Sequence, residues 1–204
     1  PLTYKNCFNT TTFSKYLRKF FEHFQLTNKD QWPVPDYNKH DEASFIFVIC
    51  PPYSGSTAFS QLFSSSRYVA QLNRKAEGQQ LIPGLFQADR WHKDKHVSYE
   101  SIRAVWLAKY QQIKRKNASI EWVIEKSPPN MMRLASLQAC FSSNFTIALI
   151  RDPYATCASA VYRNVKNIES LSIKERKLCF QRSAQRWVKK STQIQQLIQE
   201  QHIP

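Results

Sequence analysis

At 204 residues, with 42% hydrophobic and 13% aromatic content, the chain carries enough apolar material for one packed domain and is short for two. A disordered chain would hold far less of both. The formal net charge of +14 and a pI near 9.7 call for an anionic partner: nucleic acid, an acidic membrane surface, a polyanionic glycan or a phosphorylated cofactor. No apolar run approaches the ~20 residues of a membrane span, and the N-terminus lacks a signal-peptide core. The chain opens on Pro1 rather than Met, as expected of a processed or trimmed chain or a fragment. Five cysteines (Cys7, Cys50, Cys140, Cys157, Cys179) make no CxxC pair and no metal spacing with the five histidines, so no metal is expected. Their odd number fits a reducing compartment, whereas the sequons at Asn9, Asn117 and Asn144 point to a secretory one, and localisation stays open.

In chain order, residues 1–43 form a polar and aromatic extension. Tyr16, Leu17, Phe20, Phe21 and Phe24 space an amphipathic helix over residues 13–24, and Trp32-Pro33-Val34-Pro35-Asp36 reads as a connector. Residues 44–204 form the expected α/β domain. Its first strong signal is Ser44-Phe45-Ile46-Phe47-Val48-Ile49-Cys50, an apolar run suited to a strand buried on both faces. Pro51-Pro52 ends it, and Ser56 or Thr57 opens a helix through Ala58, Phe59, Leu62 and Phe63. Residues 98–116 read as a helix with a basic outer face. Trp122-Val123-Ile124 is the next strand, with a helix expected from Asn130 onward. Phe145 to Ile150 is a third strand, followed by a helix with Asp152 as cap and Pro153 in its first turn. A last basic, Gln-rich helix covers 172–200. Strands alternating with helices predict a three-layer αβα domain around a mostly parallel sheet, whose ligands bind beyond the carboxyl ends of the strands.

Three polar clusters fall on that one edge. The loop Pro51-Pro52-Tyr53-Ser54-Gly55-Ser56-Thr57 joins a buried strand to a helix, where a glycine, free amides and the positive end of the helix dipole suit an anion. By itself it is equally an ordinary strand-to-helix turn. It lacks the Lys of a Walker A loop, which disfavours a nucleoside triphosphate kinase or GTPase. In the second cluster, Arg151 at a strand end and Ser159 two helical turns later can reach one phosphate, unless Arg151 merely pairs with Asp152. The third is Lys126, beyond another strand and braced by Pro128-Pro129. It is placed to neutralise charge on a transferring group, or is simply a surface lysine. No module typical of nucleic-acid readers is present, so no nucleic-acid partner is expected.

Together the clusters resemble the sulfotransferase superfamily that uses 3'-phosphoadenosine 5'-phosphosulfate (PAPS), over about residues 44–165. Pro52 to Thr57 is similar to the family's P-[KR]-S-G-[ST]-[ST] loop at all but one position, and Arg151, Asp152, Pro153 and Ser159 match its R-D-P element and later Ser. Glu125-Lys126-Ser127-Pro128 resembles the [EN]-K-[STD]-P element of the Golgi-type, tyrosylprotein-type and many bacterial members. The resemblance implies a P-loop-like fold and sulfonate transfer from PAPS, without a metal, to a hydroxyl or amine on a glycan, peptide, lipid or small molecule. It implies that Tyr53, Ser54, Gly55, Ser56, Thr57 and Ala58 line the 5'-phosphosulfate site and that Arg151 and Ser159 hold the 3'-phosphate. Lys126 would stabilise sulfonyl charge. Glu77, 24 positions after Tyr53, is the candidate base, with Asp89 and Glu125 in reserve. Two departures stand out: Tyr53 replaces the family's Lys or Arg, and family members continue beyond the last basic helix into another strand and a closing segment. The competing readings are a PAP- or nucleotide-binding protein without transferase activity, and a basic polyanion-binding protein.

Overall fold

The structure, a computed structural model, describes residues 43–201; the helix expected over 13–24 and the sequon at Asn9 lie outside it. Strands β1 (Ser44–Ile49), β2 (Val69–Gln71), β3 (Trp122–Glu125) and β4 (Asn144–Ala148) form an all-parallel sheet in the order β2-β3-β1-β4. Helices α1 (Ser56–Phe63), α2 (Tyr99–Lys114), α3 (Leu134–Cys140), α4 (Pro153–Asn164) and α5 (Ile173–Gln201) surround it.

β1 lies between β3 and β4 and is covered on both faces, which is why its sequence is continuously apolar rather than alternating. Its residues still sort by the two-residue period of a strand. Phe45, Phe47 and Ile49 enter the larger core with Ile102, Trp106 and Tyr110 of α2 and Leu134 and Leu137 of α3. Ile46 and Val48 face the opposite layer with Ile124, against Phe59 and Phe63 of α1. Phe45 lies 4.3 Å from Phe141 and 5.9 Å from Trp106, centroid to centroid. Such offset and tilted aromatic pairs add about 0.5–1.5 kcal/mol each beyond area burial.

The helix starts follow local chemistry. Asp152 Oδ1 accepts from Ala155 N at 2.8 Å with Pro153 in the first turn of α4, as its sequence predicts. Ser98 caps α2 through Ser101 N. On α5, Ile194 is fully buried while Leu197 and Ile198 are partly buried against the larger core, leaving the basic residues outward except Lys190, which packs over Trp91. None of the described helices is long and apolar enough to cross a membrane.

Two elements differ from the expectations. β2 has only three residues and is absent from the sequence reading, because an edge strand that short leaves no periodic signal. The helix expected from Asn130 is instead a 3₁₀ segment over Pro128–Met132, with α3 beginning at Leu134. The Asn130 side chain is engaged by Glu125 and Gln79, and its N–H meets Ser127 O at 2.8 Å, which closes the tighter turn first.

Candidate active site at the carboxyl edge of the sheet

Because β3, β1 and β4 are parallel neighbours, the segments after their carboxyl ends emerge side by side. After β1, Tyr53 (φ 68°) and Gly55 (φ 83°) both take left-handed conformations, alternating with residues of negative φ. Such an alternation is the backbone pattern of an anion nest, in which successive N–H groups face one concavity. Gly55 suits its place because only glycine enters this region without strain, whereas Tyr53 stores about 1–3 kcal/mol there. Gly55 is the N-cap of α1 and offers no side-chain acceptor, so the first-turn amides stay open. The first to find a helical partner is Phe59 N, on Gly55 O at 3.1 Å.

Ser54 is 4% exposed, and its Oγ is buried with no hydrogen-bond partner. A buried hydroxyl without a partner costs about 1–3 kcal/mol. An ordinary turn has no reason to retain that cost, whereas a loop that receives an oxyanion does. Ser56 is also buried and its hydroxyl meets the Cys50 thiol; Thr57 and Ala58 are exposed. Burial pushes the Cys50 thiol up to about 11 despite that bond and nearby Lys126, which makes Cys50 an inert part of the core.

The Tyr53 hydroxyl is turned to the end of α4. It donates to Asn164 Oδ1 at 2.9 Å, tying the loop to the end of α4, and Asn164 Nδ2 donates to Ala160 O at 2.7 Å. Asn164 was invisible to sequence reasoning, since nothing local links it to a loop 111 residues earlier.

Arg151 and Ser159 lie after β4 and along α4. Arg151 is exposed and makes no ion pair among the described residues; Asp152 is occupied with its cap. The bland alternative of an Arg151–Asp152 pair is therefore not what the fold adopts. The Arg151 carbonyl accepts from Trp187 Nε1 at 3.2 Å, which anchors α5 beside it.

After β3, Lys126 is 2% exposed, which excludes a surface lysine. Its Nζ lies 2.8 Å from Glu77 Oε1. Two residues separated by 49 positions thus meet as an ion pair, with the Glu77 side chain 17% exposed at its rim. The pairing of β2 with β3, Gln71 opposite Ile124, delivers Glu77 there. Ala76, at φ 54°, turns the chain and accepts from Lys126 N at 2.7 Å, while Asn73 holds Glu77 N and O at 3.0 and 2.7 Å. Cys50 feels the charges of Lys126, Glu77 and Glu125, so the pair stands close to the foot of the anion loop.

The reserve carboxylates behave differently. Asp89 is on an exposed 3₁₀ segment and pairs with Lys95, which holds its carboxyl below the usual range. Glu125 is fully buried and accepts from Gly78 N at 2.8 Å, Ser127 N at 2.9 Å, Ser127 Oγ, and Asn130 Nδ2 at 3.0 Å. Burial raises its carboxyl to about 7, against the pull of those donors and of Lys126. With its oxygens enclosed and occupied, Glu125 has no path to an acceptor. No group of three or more metal-binding side chains occurs among the described residues.

A parallel α/β sheet with a glycine-bearing strand-to-helix loop after β1 and cations after β3 and β4 defines an α/β protein whose candidate site lies at the carboxyl edge. Within that class, the chain belongs to the sulfotransferase family, whose model matches residues 45–203. It is thereby a member of a family of transferases that act by sulfotransfer. A search of curated proteins gives no match.

Proposed function

We propose that this chain transfers a sulfonate group from PAPS to a hydroxyl or amine acceptor. The observation that carries the reading is the buried, unpartnered Ser54 hydroxyl inside a left-handed nest at the start of α1. The amides from Ser54 to Ala58 would hold the 5'-phosphosulfate, with the dipole of α1 behind them. Arg151, with no carboxylate paired to its guanidinium among the described residues, would take the 3'-phosphate together with Ser159. When bound, PAPS supplies an activated sulfonyl group and leaves as PAP.

The residues then divide the work. Glu77, beside Lys126 and partly open to solvent, receives the proton of the acceptor hydroxyl. The Lys126 ammonium, kept almost dry, opposes negative charge more strongly than an exposed lysine would. It is held by a single carboxylate oxygen, so an incoming anion can share it. Glu77 acts as base in preference to Asp89 and Glu125 because it alone of the three combines partial exposure with contact to Lys126.

A second reading, nucleotide binding without transfer, is favoured by Tyr53. The loop lacks the cation at that position, and the tyrosine hydroxyl is spent on Asn164. Thermal melts with PAP, PAPS and ATP, followed by transfer assays on glycan, peptide and small-molecule acceptors, test both. Saturation at 100 times Kd stabilises by about 2.7 kcal/mol. A shift with ATP and none with PAP refutes the donor site; PAP binding with no transfer to any acceptor favours the second reading.

A further inference from the structure

The mechanism above leaves the buried carboxyl of Glu125 unused. Glu125 is the last residue of β3, opposite Phe47 of β1, and 0% exposed. A buried carboxylate without a direct salt bridge is costly, so its surroundings must compensate. They do so with donors from separate segments. Oε1 accepts from Gly78 N and Ser127 Oγ, and Oε2 from Ser127 N and Asn130 Nδ2, so both oxygens are doubly engaged. A second seam closes the same gap: Gln79 N donates to Ser127 Oγ at 3.3 Å, and Gln79 Nε2 donates to Asn130 Oδ1. Gly78 follows Glu77 directly, and Lys126 follows Glu125 directly. The carboxylate therefore bonds the residues next to the two members of the ion pair.

We propose that Glu125 is the positioning residue of this site: its carboxylate clamps the Glu77–Gln79 loop to the Ser127–Asn130 turn and so holds Glu77 against Lys126. This deepens the sulfotransfer reading and rests on it for the roles of Glu77 and Lys126, but the clamp is a property of the unliganded chain. Only an ionised carboxylate fits four donors. A proton on either oxygen turns an acceptor toward a donor and disturbs one of the four bonds, of which the one from Gly78 N crosses to the loop after β2. The titratable groups around Glu125 are Lys126, the next residue, Cys50 directly after β1, and Glu77, which Lys126 holds from the loop after β2; the turn after β3 brings the uncharged donors Ser127 and Asn130. Since burial raises the Glu125 carboxyl to about 7, the clamp closes as pH rises through neutrality.

Glu125→Gln tests this, because the amide keeps the shape yet offers an NH₂ where donors already point. Hydrogen exchange of the unliganded protein should show the 77–79 amides losing protection at least 10-fold in Glu125→Gln, and in wild type as pH is lowered through 7. The thermal shift with PAP should be unchanged, transfer should fall at least 10-fold in kcat with KM for PAPS retained, and the component of the wild-type acid limb near pH 7 should vanish. Unchanged protection of 77–79 in Glu125→Gln, or a wild-type rate with the same acid limb, overturns the proposal. Should Glu125→Gln fail to fold, Asn130→Ala removes one donor and must reduce the same protection at least 3-fold; full protection in it overturns the clamp. A wild type that ignores PAP would defeat the sulfotransfer reading alone, since the exchange experiment still decides the clamp.

Discussion

Gly78→Ala tests how tightly the loop that carries Glu77 is set against the core. A Cβ on Gly78 would lie 2.7 Å from Trp106 Cε2, 2.8 Å from its Nε1 and 2.9 Å from Leu72 Cδ1. Ordinary carbon contacts begin near 3.5 Å, so the loop or the indole must move by more than half an ångström. The indole has little room to yield: Trp106 is fully buried, stacks on Phe45 and Phe141 at 5.9 and 5.6 Å, and donates to Gly78 O at 3.0 Å. Overpacking of this kind costs about 1–3 kcal/mol, and a disrupted indole hydrogen bond adds about 1 kcal/mol. For a chain of this size the sum lowers Tm on the order of 10 °C. Calorimetry and urea unfolding measure it, with Gly84→Ala as control: Gly84, unlike Gly78, has a positive φ, 74°, and open space where a Cβ would stand, so only about 1 kcal/mol of backbone strain is expected there. A Gly78→Ala protein within 0.5 kcal/mol of wild type would show that this loop adapts freely and would refute the packing argument.

Further outcomes follow from the same geometry. Ser54→Ala removes a hydroxyl that has no partner, so the unliganded protein should keep or gain stability while the PAP-induced shift shrinks; a loss of stability without ligand would mean the hydroxyl is satisfied after all. Arg151→Ala should leave the melting temperature alone and weaken PAP by about 2 kcal/mol, roughly 30-fold in Kd by titration calorimetry. The Glu125 carboxyl rises from an ordinary 4.5 to about 7 on folding, so the folded chain holds the extra proton between those values. Unfolding free energy should thus fall as pH rises from about 4.5 to 7, by on the order of 3 kcal/mol, and Glu125→Gln should flatten that slope. Tyr53→Lys exchanges the bond to Asn164 for a cation at the loop; transfer should rise about 10²-fold, and no gain would count against the missing charge as a limit on rate.

The alternation of strand and helix, the parallel sheet, the anion loop after β1 and the cap at Asp152 were all legible in the chain, because each rests on residues close in sequence: a buried apolar run, a glycine between hydroxyls, an Asp before Pro153. The same locality explains the family resemblance, since the three motifs are short and ordered. What no local pattern carried was pairing at a distance. Three residues of β2 decide that Glu77 arrives at Lys126, and a tertiary bond to Asn164 decides where Tyr53 points. Glu125, a reserve base by its position in the sequence, becomes a buried acceptor for four donors only once the loop after β2 and the turn after β3 close around it. Composition and short-range pattern thus specify the longer elements and the motifs of the candidate site, whereas the surroundings of the carboxylates depend on burial and partners that exist only when the sheet is assembled.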